Sequence, residues 1–201
     1  MASVYFVFAH PHRTQSRVCS TVLKRIRDLD NVTVCDLYEA YPAFHIPVAD
    51  EQAKVVANAV ILLQHPFYWY SAPAIIKEWQ DLVLENGWAY GPGGSRLAGR
   101  FLLSAISTGG TEQAYHPQGR HRFEVEDLLA PFNQTTHLCS MAYRTPFVIQ
   151  AGRRASPEAL GASVESYRDL VIGLRDGAID PLERLAHGYV LPPGFAAKAA
   201  A

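Results

Sequence analysis

Short apolar runs that end in turn residues alternate along this chain with stretches whose apolar positions fall three and four apart. Val4-Tyr5-Phe6-Val7-Phe8-Ala9 closes at His10-Pro11 and reads as a buried strand. Ser16 is placed to cap a helix reaching about Leu29, with Val18, Val22, Leu23 and Ile26 on one face. After the Asp30-Asn31 turn, Val32-Thr33-Val34-Cys35 gives a second strand; residues 38–50, with Pro42 and Pro47, read as a loop, and a short helix covers Asp50 to Ala57. Val60 to Gln64 is a third strand, followed by a helix from about Ala72 to Glu85 with Pro73 near its first turn. Phe101 to Ile106 is a fourth strand, and a helix spans about Val125 to Leu138. Pro146-Phe147-Val148-Ile149 is a fifth, and Ser156-Pro157-Glu158 opens a last helix reaching about Leu174.

Strands alternating with helices, joined by right-handed crossovers, imply an α/β fold of three layers. The economical solution is a doubly wound, flavodoxin-like arrangement with a five-stranded parallel sheet of order 2-1-3-4-5. That order brings the carboxyl ends of strands one, three and four around one crevice, the usual ligand position in open α/β sheets. The pattern reads as a single domain over residues 1–186. The tail 187–201, rich in alanine, is expected to be loosely ordered or to reach a partner subunit.

With 201 residues the chain can bury about 70% of its unfolded surface. A net charge of −1 provides no basic field for nucleic acid or anionic lipid, and it argues against a strongly acidic electron carrier. No apolar stretch approaches the ~20 residues of a membrane span, and Met1 to Tyr5 lacks a signal-peptide pattern, so the cytoplasm is the expected compartment. Cys19, Cys35 and Cys139 form no CxxC or zinc pattern and read as reduced thiols; Cys19, near a helix start, is the one where a thiolate could be stabilised. No metal motif or nucleophile elbow is present in the sequence.

Three loops could carry chemistry. His10-Pro11-His12-Arg13-Thr14-Gln15-Ser16-Arg17 brings helix-start amides, hydroxyls, imidazoles and guanidinium groups together, which suits a phosphate or a capped helix with solvated charges. It has no glycine, so it is neither a dinucleotide fingerprint nor a P-loop. Phe67-Tyr68-Trp69-Tyr70 follows the third strand and suits a planar conjugated ligand, a core cluster or a dimer contact. His65, before Pro66, reads as structural. In the loop after the fourth strand, Ser107-Thr108-Gly109-Gly110 lets backbone amides approach a flat ligand, and Tyr115 and His121 supply hydrogen-bond donors. A plain surface connection is the competing reading of that loop.

With these residues in view, the chain resembles the NAD(P)H:quinone oxidoreductase family of flavodoxin-like fold. Within it, it is most similar to the ancillary oxidoreductases of bacterial glutathione-regulated potassium-efflux systems. The stretches that carry the likeness are Phe8-Ala9-His10-Pro11 with Ser16, Asp36-Leu37-Tyr38, Gln64 to Tyr70, Pro73 to Trp79, Gly87-Trp88-Ala89-Tyr90-Gly91 and Thr108-Gly109-Gly110, in order over residues 4 to 175. The resemblance implies a flavin across the three loops, its phosphate near His10, Ser16, Arg17 and Val18. The ring system would lie along Phe67, Tyr68, Trp69 and Tyr70, with its pyrimidine end at Ser107, Thr108, Gly109 and Gly110. Cys19 stands where relatives commonly have Asn. The 38–50 loop is shorter than in the larger FAD-binding reductases, which favours FMN over FAD.

What the resemblance further implies is a relay in two steps, hydride passing from NADH or NADPH to the flavin and then to a quinone. Tyr115 and His121 would be the catalytic pair, stabilising charge near the pyrimidine ring. It also implies a homodimer, with Trp88, Tyr90 and the Tyr115 region meeting around one flavin from opposite subunits. A regulatory role docked on a potassium-efflux transporter, at the inner face of the membrane, is a second expectation and can coexist with the first. A flavodoxin-type electron carrier is a third.

Overall fold

The computed structural model describes residues 2–152 and 154–179. The expected tail at 187–201 and the end of the 1–186 domain lie outside the described residues. Strands β1 (Val4–Phe8), β2 (Val32–Asp36), β3 (Val60–Pro66), β4 (Phe101–Ser107) and β5 (Ala142–Ile149) form one parallel sheet in the order β2-β1-β3-β4-β5. Every residue of β1 and β3 is buried, as expected for central strands covered on both faces. Alternate side chains serve two cores. Tyr5, Val7, Ile61 and Leu63 face the layer formed by α2 (Leu37–Ala40), α3 (Val48–Ala57), α4 (Ala74–Val83), α5 (Val125–Leu128) and α6 (Ala130–Leu138). Phe6, Phe8, Val60 and Leu62 face α1 (Arg17–Ile26) and α7 (Pro157–Asp176).

The expected fold class and strand order are therefore observed, with four local differences. Helix α1 stops at Ile26, three residues early, as the chain turns toward Asn31 at φ 57°. Inside the expected 38–50 loop, Asp36 caps the single turn of α2 by accepting from the Glu39 amide at 3.4 Å, and α3 already begins at Val48. The helix expected over 125–138 is two helices that break at Leu129. Pro131 has no N–H to return to the Asp127 carbonyl and its ring crowds that group. Strand β5 begins at Ala142, and Pro146 sits in a bulge instead of opening the strand. Register passes from Leu103–Arg144 to Ala105–Phe147, leaving Thr145 and Pro146 opposite Ser104. A proline is tolerated there because β5 is an edge strand.

One carboxylate lies wholly inside. Glu51 of α3 accepts from Tyr5 Oη at 2.5 Å and from Tyr41 Oη, Trp79 Nε1 and Lys54 Nζ at 2.6 Å each. Burial pushes its pKa up, but the Lys54 ammonium and the three neutral donors outweigh that, and the net shift is downward. The knot ties β1, α3 and α4 together.

Candidate active site

The carboxyl ends of β1, β3, β4 and β5 meet around a cavity of about 410 Å³, within the range of small-molecule and cofactor sites. The first of these strands is followed by His10, His12, Gln15, Ser16, Arg17 and Val18, the second by Phe67 and Tyr68, the third by Thr108 and Gly109; all line it, with Pro66 and Ser107 at the strand ends. Gly152, after β5, closes the set. This fourth loop carries no motif in the sequence; its one signal is that Ala151-Gly152 follows an apolar strand on the same sheet edge. Its glycine has a steric cause: a Cβ at Gly152 would lie 2.4 Å from Val18 Cγ2. The loop is held on the neighbouring one by Ala151 N–H to Gly110 O at 2.8 Å and Gly152 N–H to Thr108 O at 3.1 Å.

At one end the cavity is built for an anion. Ser16 caps α1 by accepting from the Cys19 amide at 3.1 Å. Among the described residues the amides of Arg17 and Val18 have no backbone or side-chain acceptor, as expected at the first turn of a helix. His10 Nδ1 accepts from the His12 amide at 3.0 Å, so in the neutral ring the proton stands on Nε2. Burial, then the charge of His12, lowers the His10 pKa and keeps the ring neutral. Arg13 is committed to Asp36 at 2.7 Å and to Glu39, and Arg17 donates to Ala155 O at 2.8 Å.

At the other end the Thr108 side chain donates to Gly110 O at 2.9 Å, and the amides of Gly109 and Gly110 have no acceptor among the described residues. The loop beyond folds tightly on itself, with Gly119 N–H to His116 O at 2.7 Å and His121 N–H to Ala114 O at 2.8 Å. Glycine is required at 119, where a Cβ would fall 2.3 Å from Gln113 O. This folding brings the two candidate donors together: the Tyr115 and His121 rings stack at 4.3 Å and 21°. Tyr115 also packs on Phe67 at 5.8 Å, which links the pair to the cavity lining. Burial, then the Tyr70 phenol, raises the Tyr115 pKa, so its O–H is retained as a donor.

The four aromatics thus diverge. Phe67 and Tyr68 line the cavity, and Tyr68 meets His10 edge-on at 5.9 Å. Trp69 is 94% exposed, and Tyr70 reaches His121 instead. Cys19 is fully buried, 3.5 Å from Ser107 Oγ, and burial pushes its thiol pKa up despite the hydrogen bonds from Ser107, Ser16 and Gln64. The expectation of a helix-stabilised thiolate fails on that desolvation. No cluster of metal-binding side chains occurs, and no helix is long and apolar enough to cross a membrane, among the described residues.

Known proteins of related sequence share this fold. A family model described as Flavodoxin-like fold matches residues 2–171. The chain is 43% identical, over 82% of its length and 90% of the relative's, to the glutathione-regulated potassium-efflux system ancillary protein KefG of Pectobacterium carotovorum subsp. carotovorum. Among solved structures it superposes on general stress protein 14 of Treponema denticola in complex with FMN, with TM-score 0.78, 34% identity and 86% and 97% of the two chains covered. An NADPH-quinone reductase from P. pentosaceus gives TM-score 0.77 at 27% identity, covering 84% and 96%. A thermophilic tryptophan halogenase from Streptomycin violaceusniger gives 0.82 at 34%, covering 84% and 98%.

Proposed function

The chain belongs to the Flavodoxin-like fold family, and from that premise we propose that it is a flavin-dependent NAD(P)H:quinone oxidoreductase with FMN as cofactor. The observation that carries the reading is one cavity lined by both the anion cradle and Gly109, with the stacked Tyr115–His121 pair outside its lining but joined to it through Phe67. The donor set fits FMN. Arg17 and Val18 amides, the Ser16 hydroxyl and His10 Nε2–H would hold the phosphate. Phe67, Tyr68 and the Gly109 and Gly110 amides would hold the ring system. When bound, the flavin would supply hydride transfer between NADH or NADPH and the quinone. The protein's share is position and charge: Thr108 and the β5 loop fix the glycine strip, while Tyr115 and His121 present O–H and N–H donors beside it. Because one fold hosts several chemistries, the quinone rests on the likeness to the NADPH-quinone reductase and on this open, aromatic-lined site.

The absorbance spectrum of the purified protein, with mass identification of the released cofactor, tests the reading. Bound FMN and quinone-dependent NADH or NADPH oxidation are expected; a colourless protein that binds neither FMN nor FAD refutes it. A second role is favoured by the 43% identity to KefG: an ancillary subunit docked on a potassium-efflux transporter at the inner membrane face, as a homodimer. Co-purification with such a transporter, and the mass of the free protein in solution, test that role. A chain that is monomeric and never retained by the transporter refutes it.

A further inference from the structure

We propose that Tyr70 is a positioning residue that fixes which nitrogen of His121 carries the proton, a role that rests on the reductase reading above. The chain reaches this arrangement through an unfavourable backbone. Trp69 and Tyr70 are both left-handed, at φ 50° and 62°, in a turn closed by Ser71 N–H to Tyr68 O at 3.0 Å. Bulky residues rarely adopt that conformation, and two in succession mark a constraint imposed from elsewhere. Their turn sends the Tyr70 phenol across to the next loop, where Oη lies 3.3 Å from His121 Nδ1 and the rings meet edge-on at 5.6 Å. Among the described residues this is the only hydrogen bond to either side chain.

The opposite side of the imidazole faces Gly110. A Cβ built on Gly110 would lie 3.3 Å from His121 Nε2, so that nitrogen stands directly over the glycine strip. If the Tyr70 hydroxyl donates to Nδ1, the ring proton stays on Nε2, facing the strip where Gly109 and Gly110 offer their amides. The reverse polarity, with Nδ1–H donating to the phenol oxygen, leaves Nε2 bare and His121 without a donor there. Tyr115, stacked on the ring, prevents it from rotating out of this register. The aromatic loop thereby sets the chemistry of a residue carried by a different strand.

The test is the ring ¹⁵N spectrum of His121 in the flavin-free full chain, assigned with His121→Gln and compared with Tyr70→Phe. The wild type is expected to show protonated Nε2 and an Nδ1 resonance displaced by a hydrogen bond. In Tyr70→Phe that displacement disappears and a population protonated at Nδ1 emerges, which loss of packing alone would not produce. In the FMN-loaded protein the same substitution slows flavin reduction by NADH about fivefold, the scale of one neutral hydrogen bond. A wild-type proton on Nδ1, or a ring spectrum unchanged by Tyr70→Phe, overturns the proposal. A protein that takes up no flavin yet shows the expected spectra overturns the reductase reading and leaves the tautomer control standing.

Discussion

His65 makes folding stability depend on pH over a defined window. Its ring is fully buried, stacked on Phe132 at 5.9 Å and 23°, with Nδ1 3.0 Å from Pro66 O and, among the described residues, no partner for Nε2. Burial lowers its pKa from 6.5 to about 4, against the weaker upward pull of the Pro66 carbonyl. The folded ring is therefore neutral, while the unfolded ring takes a proton once pH falls below 6.5. The stability is fully present above that value, declines as pH falls, and is lost once pH reaches the folded value of about 4. At about 1.4 kcal/mol per pH unit the contribution comes to about 3 kcal/mol. His65→Phe keeps an aromatic ring against Phe132 and removes the titration. It also removes the bond to Pro66, worth about 1 kcal/mol at every pH, so the comparison is between slopes and not levels. Urea unfolding of both proteins between about pH 7 and pH 4 measures it. Parallel stability profiles for the two would refute the reasoning.

Two other substitutions probe the frame and the site separately. Glu51→Gln sets an amide, itself a donor, against four donors. It should cost about 3–5 kcal/mol at neutral pH in urea unfolding. Because the folded Glu51 pKa is lowered, the wild-type advantage is full above the carboxylate range and closes as pH falls through it. Gly119→Ala forces the 111–122 loop open, since its Cβ would meet Gln113 O at 2.3 Å and Ala114 O at 2.8 Å. Quinone-dependent NADH oxidation should fall at least about tenfold, while the melting temperature, read by calorimetry, moves little because the loop is exposed.

The sheet was legible because a parallel strand covered on both faces must be apolar along its whole length, and Val4–Phe8 and Val60–Leu63 are. The crevice followed from the strand order, and the cap at Ser16 from its chemistry. Features decided by distant partners left no local trace. Glu51 looks like any helical glutamate until Tyr5, Tyr41 and Trp79 converge on it. Pro146 reads as a strand opening, yet only its place on an edge reveals a bulge. Four aromatics in sequence suggest one wall, but two left-handed residues turn the run so that its members face different neighbours. The contribution of Gly152 depends on Val18, more than a hundred residues away in sequence.

That divergence of the aromatic run gives the molecule its own optical labels. Of the three tryptophans, Trp79 is sealed in the core and Trp69 projects into water, while Trp88 is half-buried against the core. Trp79 should emit toward the blue and resist a dissolved quencher, and Trp69 should emit toward the red and yield to it first. Intrinsic fluorescence therefore reports the frame and the rim of the crevice on different channels without any added dye. A ligand or a docking surface that covers Trp69 would announce itself as a loss of quenching, with the Trp79 signal as the internal standard.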